Sequence, residues 1–271
     1  MSGLRDARGI LYPDALPRFH RRDVPAESGH LARWYWIAQW NLPVGEVSIQ
    51  TLLPFPAANL VVEPSGSTLS GPTTSASARE LTGRGWAFGV LLRPAGLVAL
   101  GYAAAEIVDV EVPFSADALA AGVAECMTAG DCAAAAEVMS GWWAAQAAQT
   151  AGEGRVGREG RSPDGARQAN RLLEVVESDP GLVGVDQLAR EMGLSVRALQ
   201  RLSKQYIGLS PLRIIRRYRL QEAALRLREN PQLTIAEVAA DLGYADQSHL
   251  AADFRSTLGL AARDYRRQRQ P

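Results

Sequence analysis

A chain of 271 residues with 47% apolar side chains is long and hydrophobic enough for two cored domains. Its 29 basic and 29 acidic residues cancel, a balance that taken alone argues against nucleic acid as a partner. Two cysteines, Cys126 and Cys132, give neither a disulfide framework nor a zinc pattern and read as small apolar fillers near helix ends.

The opening stretch MSGLRDARGILYPD carries charges where a signal peptide needs an apolar run, and no stretch approaches the length of a membrane span. A cytoplasmic protein with no membrane partner is expected. Between residues 33 and 94, RWYWIAQWNL, EVSIQTLL, ANLVVEP and GWAFGVLLR are short runs bounded by Pro, Gly and Asn, the pattern of strands in an antiparallel sheet or small barrel. Alternation puts Trp34, Trp36, Ala38 and Trp40 on one face of the first run, with Trp86 and Phe88 candidates for the same interior. Bulky, polar-tipped tryptophans on one face suit an effector pocket, with Arg33, Gln39, Asn59, Glu63 or Arg93 as polar contacts; the competing reading is that they fill the barrel.

Residues 116–149 are Ala-rich and predict two helices broken near Gly130 and Asp131. Residues 150–166, rich in Gly and charge without apolar periodicity, read as a linker that leaves the residues after it free to fold alone.

Residues 185–206, VDQLAREMGLSVRALQRLSKQY, read as a helix, a glycine turn and a second helix. Leu188, Ala189 and Met192 make the apolar stripe of the first. Gly193 suits the positive φ that ends it, and Ser195 can cap the next. Ala198, Leu199 and Leu202 face inward there, leaving Arg197, Gln200, Arg201 and Lys204 outside. About fifty residues later IAEVAADLGYADQSHLAADFRSTL repeats the plan, with Val238, Ala239 and Gly243 in the places of Leu188, Ala189 and Gly193, and Asp246 as the cap. Between the copies Ser210 and Pro211 open a helix that runs to about Glu229, with Leu220, Ala223, Ala224 and Leu227 as one stripe against both units. Charge follows the same division: residues 162–271 hold about 17 basic and 13 acidic side chains, so a chain neutral overall is split roughly +4 against −4.

The segments SVRALQRLSKQYIGLSP, RRYRLQEAALRL and TIAEVAADLGYADQSHL, with the closing Tyr265-Arg266, resemble the DNA-binding domain of AraC/XylS-type transcriptional regulators. The resemblance implies seven helices with a recognition helix in each half. NLVVEPSGSTLSGPTT and LTGRGWAFGVLLRPAG are similar, less specifically, to N-terminal sensor-type domains of AraC-like proteins, which implies a β-rich, partly cupin-like domain that senses a ligand or mediates assembly. Relatives often carry dimer contacts in the following helices, which makes Ala136, Met139, Trp142 and Trp143 interface candidates, or equally packing on the barrel.

The expected fold is therefore α+β in two domains: residues 1–149 a cupin-like or small-barrel sensor domain, 150–166 a linker, 167–271 a tandem helix-turn-helix domain. The expected function is sequence-specific binding of double-stranded DNA in transcription regulation, with a small-molecule effector, RNA polymerase and a second copy of the chain as further partners. By position in the resembling motif, Arg197, Gln200 and Arg201 are expected at base edges and Lys204 at a phosphate; Arg suits guanine and Gln adenine. In the second copy Gln247, Ser248 and His249 take the early turns and Arg255 the backbone, while Ala251, Ala252 and Asp253 offer no base donor. No enzyme, cofactor or metal is expected: there is no GxSxG elbow or phosphate loop, and the three histidines are scattered. A fused DNA alkylation-repair module would need a reactive cysteine in a metal-type cluster, and Cys126 and Cys132 lie in a helical segment without one. A purely architectural DNA binder would leave the Trp-rich domain without a purpose.

Overall fold

The apolar and aromatic runs of the N-terminal half become strands β1 (Arg18–Asp23), β2 (Ala32–Asn41), β3 (Val47–Leu52), β4 (Asn59–Glu63), β5 (Gly66–Ser70), β6 (Ser77–Thr82), β7 (Arg84–Leu92) and β8 (Glu111–Pro113). The structure is a computed structural model that describes residues 18–52, 54–152, 162–230, 232–259 and 261–267. Six strands form an antiparallel sheet in the order β1-β2-β7-β4-β5-β8, and β3 pairs with β6 in a second sheet.

The expected cupin-like or small barrel is not formed, because both sheets are open. Closure would require β1 to pair with β8, and among the described residues each has a neighbour on one side alone. β8 is a three-residue strand ending on Pro113, which has no N–H to give to a ladder. The sheet is instead a layer covered on both faces. From β2 and β7, Tyr35, Ile37, Phe88 and Val90 enter one hydrophobic cluster, while Trp34 and Leu91 enter another. The run GWAFGVLL is apolar throughout for that reason, as strands buried on both faces are.

The first face is covered by α2 (Asp117–Thr128) and α3 (Cys132–Gly152). They meet at Asp131, whose Oδ1 accepts hydrogen bonds from the N–H groups of Ala133 (3.0 Å) and Ala134 (2.9 Å) and so caps α3. Leu119, Val123, Met127, Ala136, Met139 and Trp143 pack on the sheet. Ala136, Met139 and Trp143 are thus buried within the chain, and Trp142 lies half-buried against Phe114.

Helix α1 (Pro94–Ala99) leads from β7, and after α3 the described helices are α4 (Pro163–Ser178), α5 (Val185–Glu191), α6 (Val196–Tyr206), α7 (Pro211–Glu229), α8 (Ile235–Asp241), α9 (Gln247–Leu258) and α10 (Ala262–Arg267). Residues 150–152 are the end of α3 and 163–166 the start of α4, capped by the Ser162 hydroxyl; residues 153–161 lie outside the described residues.

The second sheet face is covered by these helices. Trp34, Phe55, Ala57 and Leu91 share one cluster with Ala169, Leu173, Ile214 and Tyr218, so the sheet and the C-terminal helices have this hydrophobic cluster in common. A bulge between Ala32 and Trp34 turns Arg33 out of the ladder, where it pairs with Glu177 of α4 and donates to the Tyr218 hydroxyl of α7 at 3.3 Å. Buried Asn170 holds the same junction, accepting from the Ala95 N–H (3.1 Å) and donating to the His30 carbonyl (2.8 Å).

Candidate nucleic-acid interface

The two helix pairs are built by the same local chemistry. In α5–α6, Gly193 takes φ +64° and lets the Leu194 N–H reach the Ala189 carbonyl at 2.9 Å. In α8–α9, Gly243 takes φ +67° and the Tyr244 N–H reaches the Ala239 carbonyl, also at 2.9 Å. A left-handed residue at this position closes the first helix in the way glycine permits without a Cβ penalty. Ser195 then accepts from the Ala198 N–H at 3.2 Å, and Asp246 from the His249 N–H at 2.8 Å, so each second helix starts with a side-chain cap. α8 adds a reciprocal cap that the sequence reading passed over: the Thr234 hydroxyl accepts from the Glu237 N–H (3.1 Å) and Glu237 accepts from the Thr234 N–H (2.7 Å). The signal for it, Thr followed three residues on by Glu, is plain in TIAE.

Helix α7 braces both pairs, though not with one stripe. Ile214, Ile215 and Tyr218 pack in the first unit's cluster, and Leu220, Ala223, Ala224 and Leu227 in the second's. At about 1.5 Å per residue its 19 residues span roughly 28 Å. Arg219, at the changeover, is buried and donates from Nε to the Leu242 carbonyl at 2.9 Å, with its guanidinium 4.1 Å from the Tyr244 ring centroid. A buried charge in a helix otherwise read for its apolar stripe left no periodic signal.

On α6, Arg197, Gln200, Arg201 and Lys204 are exposed, while Leu199, Leu202 and Tyr206 are buried on the opposite side. With about 100° between successive residues, the four fall within one outward stripe carrying three positive charges and an amide. On α9, Gln247, Ser248, Ala252 and Arg255 are exposed around an equivalent stripe, with Leu250, Phe254 and Leu258 inside. His249 departs from it: its ring stands edge-on to Tyr244 at 5.3 Å between centroids, to the side of the stripe. Asp253 is half-buried and lines a cleft with Arg213, Arg216 and Arg217, so it turns away from the outward face of α9.

The five expected pocket residues are not brought together. Trp34, Trp36 and Trp40 share a face of β2, but Trp86 and Phe88 stand opposite Gln39 and Ile37 and point to the other. Trp34, 8% exposed, is closed over by Arg21 (4.2 Å to the ring centroid), Arg33 (4.3 Å) and the edge of Phe55. Trp36 donates from Nε1 to Asn59 Oδ1 at 3.0 Å and Trp40 to the Thr82 carbonyl at 3.2 Å. A cavity of about 410 Å³ lies elsewhere, between Leu100, Tyr102, Phe114, Trp142 and Gln146.

Among the described residues no cluster of His, Cys, Asp and Glu could hold a metal ion, and no helix is long and apolar enough to cross a membrane.

Residues 188–268 match a helix-turn-helix domain family, and residues 29–113 match a domain family of unknown function, DUF6597. The HTH-type transcriptional activator RhaS of Escherichia coli is 34% identical over 105 residues, 38% of this chain and 37% of the relative. The chain thus matches little more than a third of that relative's length. Among solved structures, an AraC-type DNA-binding-domain transcriptional regulator from Chromobacterium violaceum is 25% identical, with a TM-score of 0.36 over 38% of this chain and 94% of that one. ToxT from Vibrio cholerae is 13% identical, with a TM-score of 0.43 over 92% of this chain and 95% of that one.

Proposed function

We propose that the chain is a transcription regulator of the AraC/XylS type that binds a specific duplex site through α6 and α9. The observation that carries this reading is the duplication: two capped helices with polar outward stripes, each seated on an apolar helix pair and braced by one long helix. Such helices enter successive major grooves about 34 Å apart, a distance the roughly 28 Å of α7 approaches. Arg197, Gln200 and Arg201 are the proposed base readers of α6, with Lys204 on a phosphate; Gln247 and Ser248 are those of α9, with Arg255 on the backbone and His249 contributing from the side.

The N-terminal half is the proposed modulating part, because its sheet and the C-terminal helices share one hydrophobic cluster. Any ligand held there acts on helices already packed against it. The cavity beside Tyr102, Phe114 and Trp142 offers a small effector more room than the closed tryptophan face does. RNA polymerase and the cytoplasm follow from the regulatory reading. A homodimer would have to use a surface other than Ala136, Met139 and Trp143, which are buried.

The test is selection of bound duplexes from random DNA by the purified full chain, followed by footprinting. A recurring site protected over two adjacent turns supports the reading, and recovery of no enriched sequence overturns it.

A further inference from the structure

At the junction of the two halves lies a cleft of about 240 Å³ whose walls are Arg213, Arg216 and Arg217 of α7, Asp253, Ser256 and Thr257 of α9, and Thr74 from the segment joining β5 to β6. The three arginines fall at i, i+3 and i+4, one face of the helix, where like charges repel. Arg217 is only 9% exposed, and among the described residues none of the three guanidiniums makes a hydrogen bond or ion pair. Burial first, then the neighbouring Arg213, lowers the Arg217 pKa; Asp253 and Asp109 act in the opposite sense from beyond ion-pair distance. Even with Asp253 counted, the cleft holds two positive charges in excess. A buried charge without a counter-ion is strongly unfavourable.

The segment that walls the cleft is held at both ends. Asp109, in the left-handed region at φ +58°, accepts from the Thr74 N–H and the Thr74 hydroxyl, each at 2.6 Å. The Ala76 N–H donates to the Thr257 carbonyl of α9 at 2.9 Å. A group bound in the cleft therefore touches the N-terminal half and the second helix-turn-helix at once.

We propose that this cleft binds a small anion bearing a carboxylate or phosphate, held by Arg213, Arg216 and Arg217 with the hydroxyl of Thr257, between walls that include Thr74 and Ser256. Planar guanidiniums suit either group in paired hydrogen bonds. A DNA phosphate is the less fitting occupant: Arg217 is buried, Thr74 walls the cleft, and Asp253 would repel a duplex backbone. Occupancy fastens the 71–76 segment to α9, which makes the anion a regulator of the DNA-binding function proposed above; its binding in itself does not depend on that function.

The experiment titrates the full chain, without DNA and at constant ionic strength, with malonate and separately with glycerol 3-phosphate, following heat and thermal midpoint. Saturable binding of at least one probe is expected, weakened tenfold or more in Arg217→Gln and unchanged in Arg84→Gln, an exposed arginine on β7. Arg213→Gln, at an exposed position, gives the same comparison if the buried variant does not fold. Which probe binds distinguishes a dicarboxylate source from a phosphate ester. No saturation by either probe, or equal response of wild type and both cleft variants, overturns the proposal. So does loss of duplex binding in Arg213→Gln with no anion binding in the wild type, which would make these arginines backbone contacts. Because the titration contains no DNA, failure here and failure of the DNA-binding reading are told apart.

Discussion

The Arg219 guanidinium lies over the Tyr244 ring at 4.1 Å from its centroid while its Nε donates to the Leu242 carbonyl, so one α7 side chain holds the turn between α8 and α9. Arg219→Ala strands that carbonyl and uncovers the ring. We expect a loss of about 1–3 kcal/mol from the carbonyl and about 1 kcal/mol from the cation–π contact, measured by urea unfolding. Arg219→Lys keeps the charge and loses the Nε donor, and should fall between. Equal stability of all three proteins would show that the turn stands on Gly243 and Asp246 alone.

Trp36 lies across Gly89, its partner in the β2–β7 register, and Trp40 across Gly85; a Cβ at either glycine would overlap the indole. Aromatic rings covering cross-strand glycines make good the packing that glycine lacks. Gly89→Ala should cost about 1–3 kcal/mol by overpacking. In a Trp36→Ala background the same change should cost close to nothing, a coupling read from a double-mutant cycle. Additive costs would mean that the ring can move aside freely.

Tyr244 bears on alkaline stability. Burial first, and the Asp253 charge next, push its phenol above the usual 10.0, while Arg219 pulls it back. A raised folded-state value leaves stability whole below the unfolded pKa and removes it as pH rises toward the folded one, since only the unfolded chain then ionises. Urea midpoints should therefore decline from about pH 10 upward, less steeply in Tyr244→Phe. Tyr35, raised chiefly by burial, keeps part of the decline in that variant. Parallel curves for both proteins would remove Tyr244 from the account.

The two helices proposed to read DNA, α6 and α9, should contribute unequally. α6 presents Arg197, Arg201 and Lys204, whereas α9 presents Ala252 where a donor would be needed and keeps Asp253 turned into the cleft. Arg201→Ala should cost ~1–3 kcal/mol and relax one base position, while Lys204→Ala should weaken all sequences alike and lower the salt slope by about 1. A base-by-base scan of the selected site checks both, and equal penalties in the two halves would show that Gln247 and Ser248 read bases fully.

Residues 162–271 expressed alone should be less stable than the same helices in the intact chain. Trp34, Phe55 and Leu91 close the α4 and α7 faces, and large side chains are worth about 1.5–3 kcal/mol each when fully buried. The thermal midpoint of the fragment and its tendency to associate are the readouts. A fragment as stable and as monomeric as the full chain would show that the shared cluster contributes little.

Whatever depended on near neighbours along the chain could be read before folding. The caps Ser195, Ser210 and Asp246, the left-handed Gly193 and Gly243, and the extent of α7 are settled within a few residues by hydrogen bonds the chain makes with itself. The outward stripe of α6 followed from helical periodicity alone. Strand alternation correctly put Trp34, Trp36 and Trp40 on one face, but alternation is silent on what that face meets. Packing against α4 and α7 made it a junction between the sheet and the C-terminal helices, and left Trp86 and Phe88 on the far side. Pairing decided the rest: β6 and β8 are short and polar at several positions, and they became strands through β3 and β5, partners distant in sequence. The same holds for Arg219 under Tyr244 and for the arginines of the junction cleft. A buried charge has no period, and only the assembled fold brings together the groups that surround it.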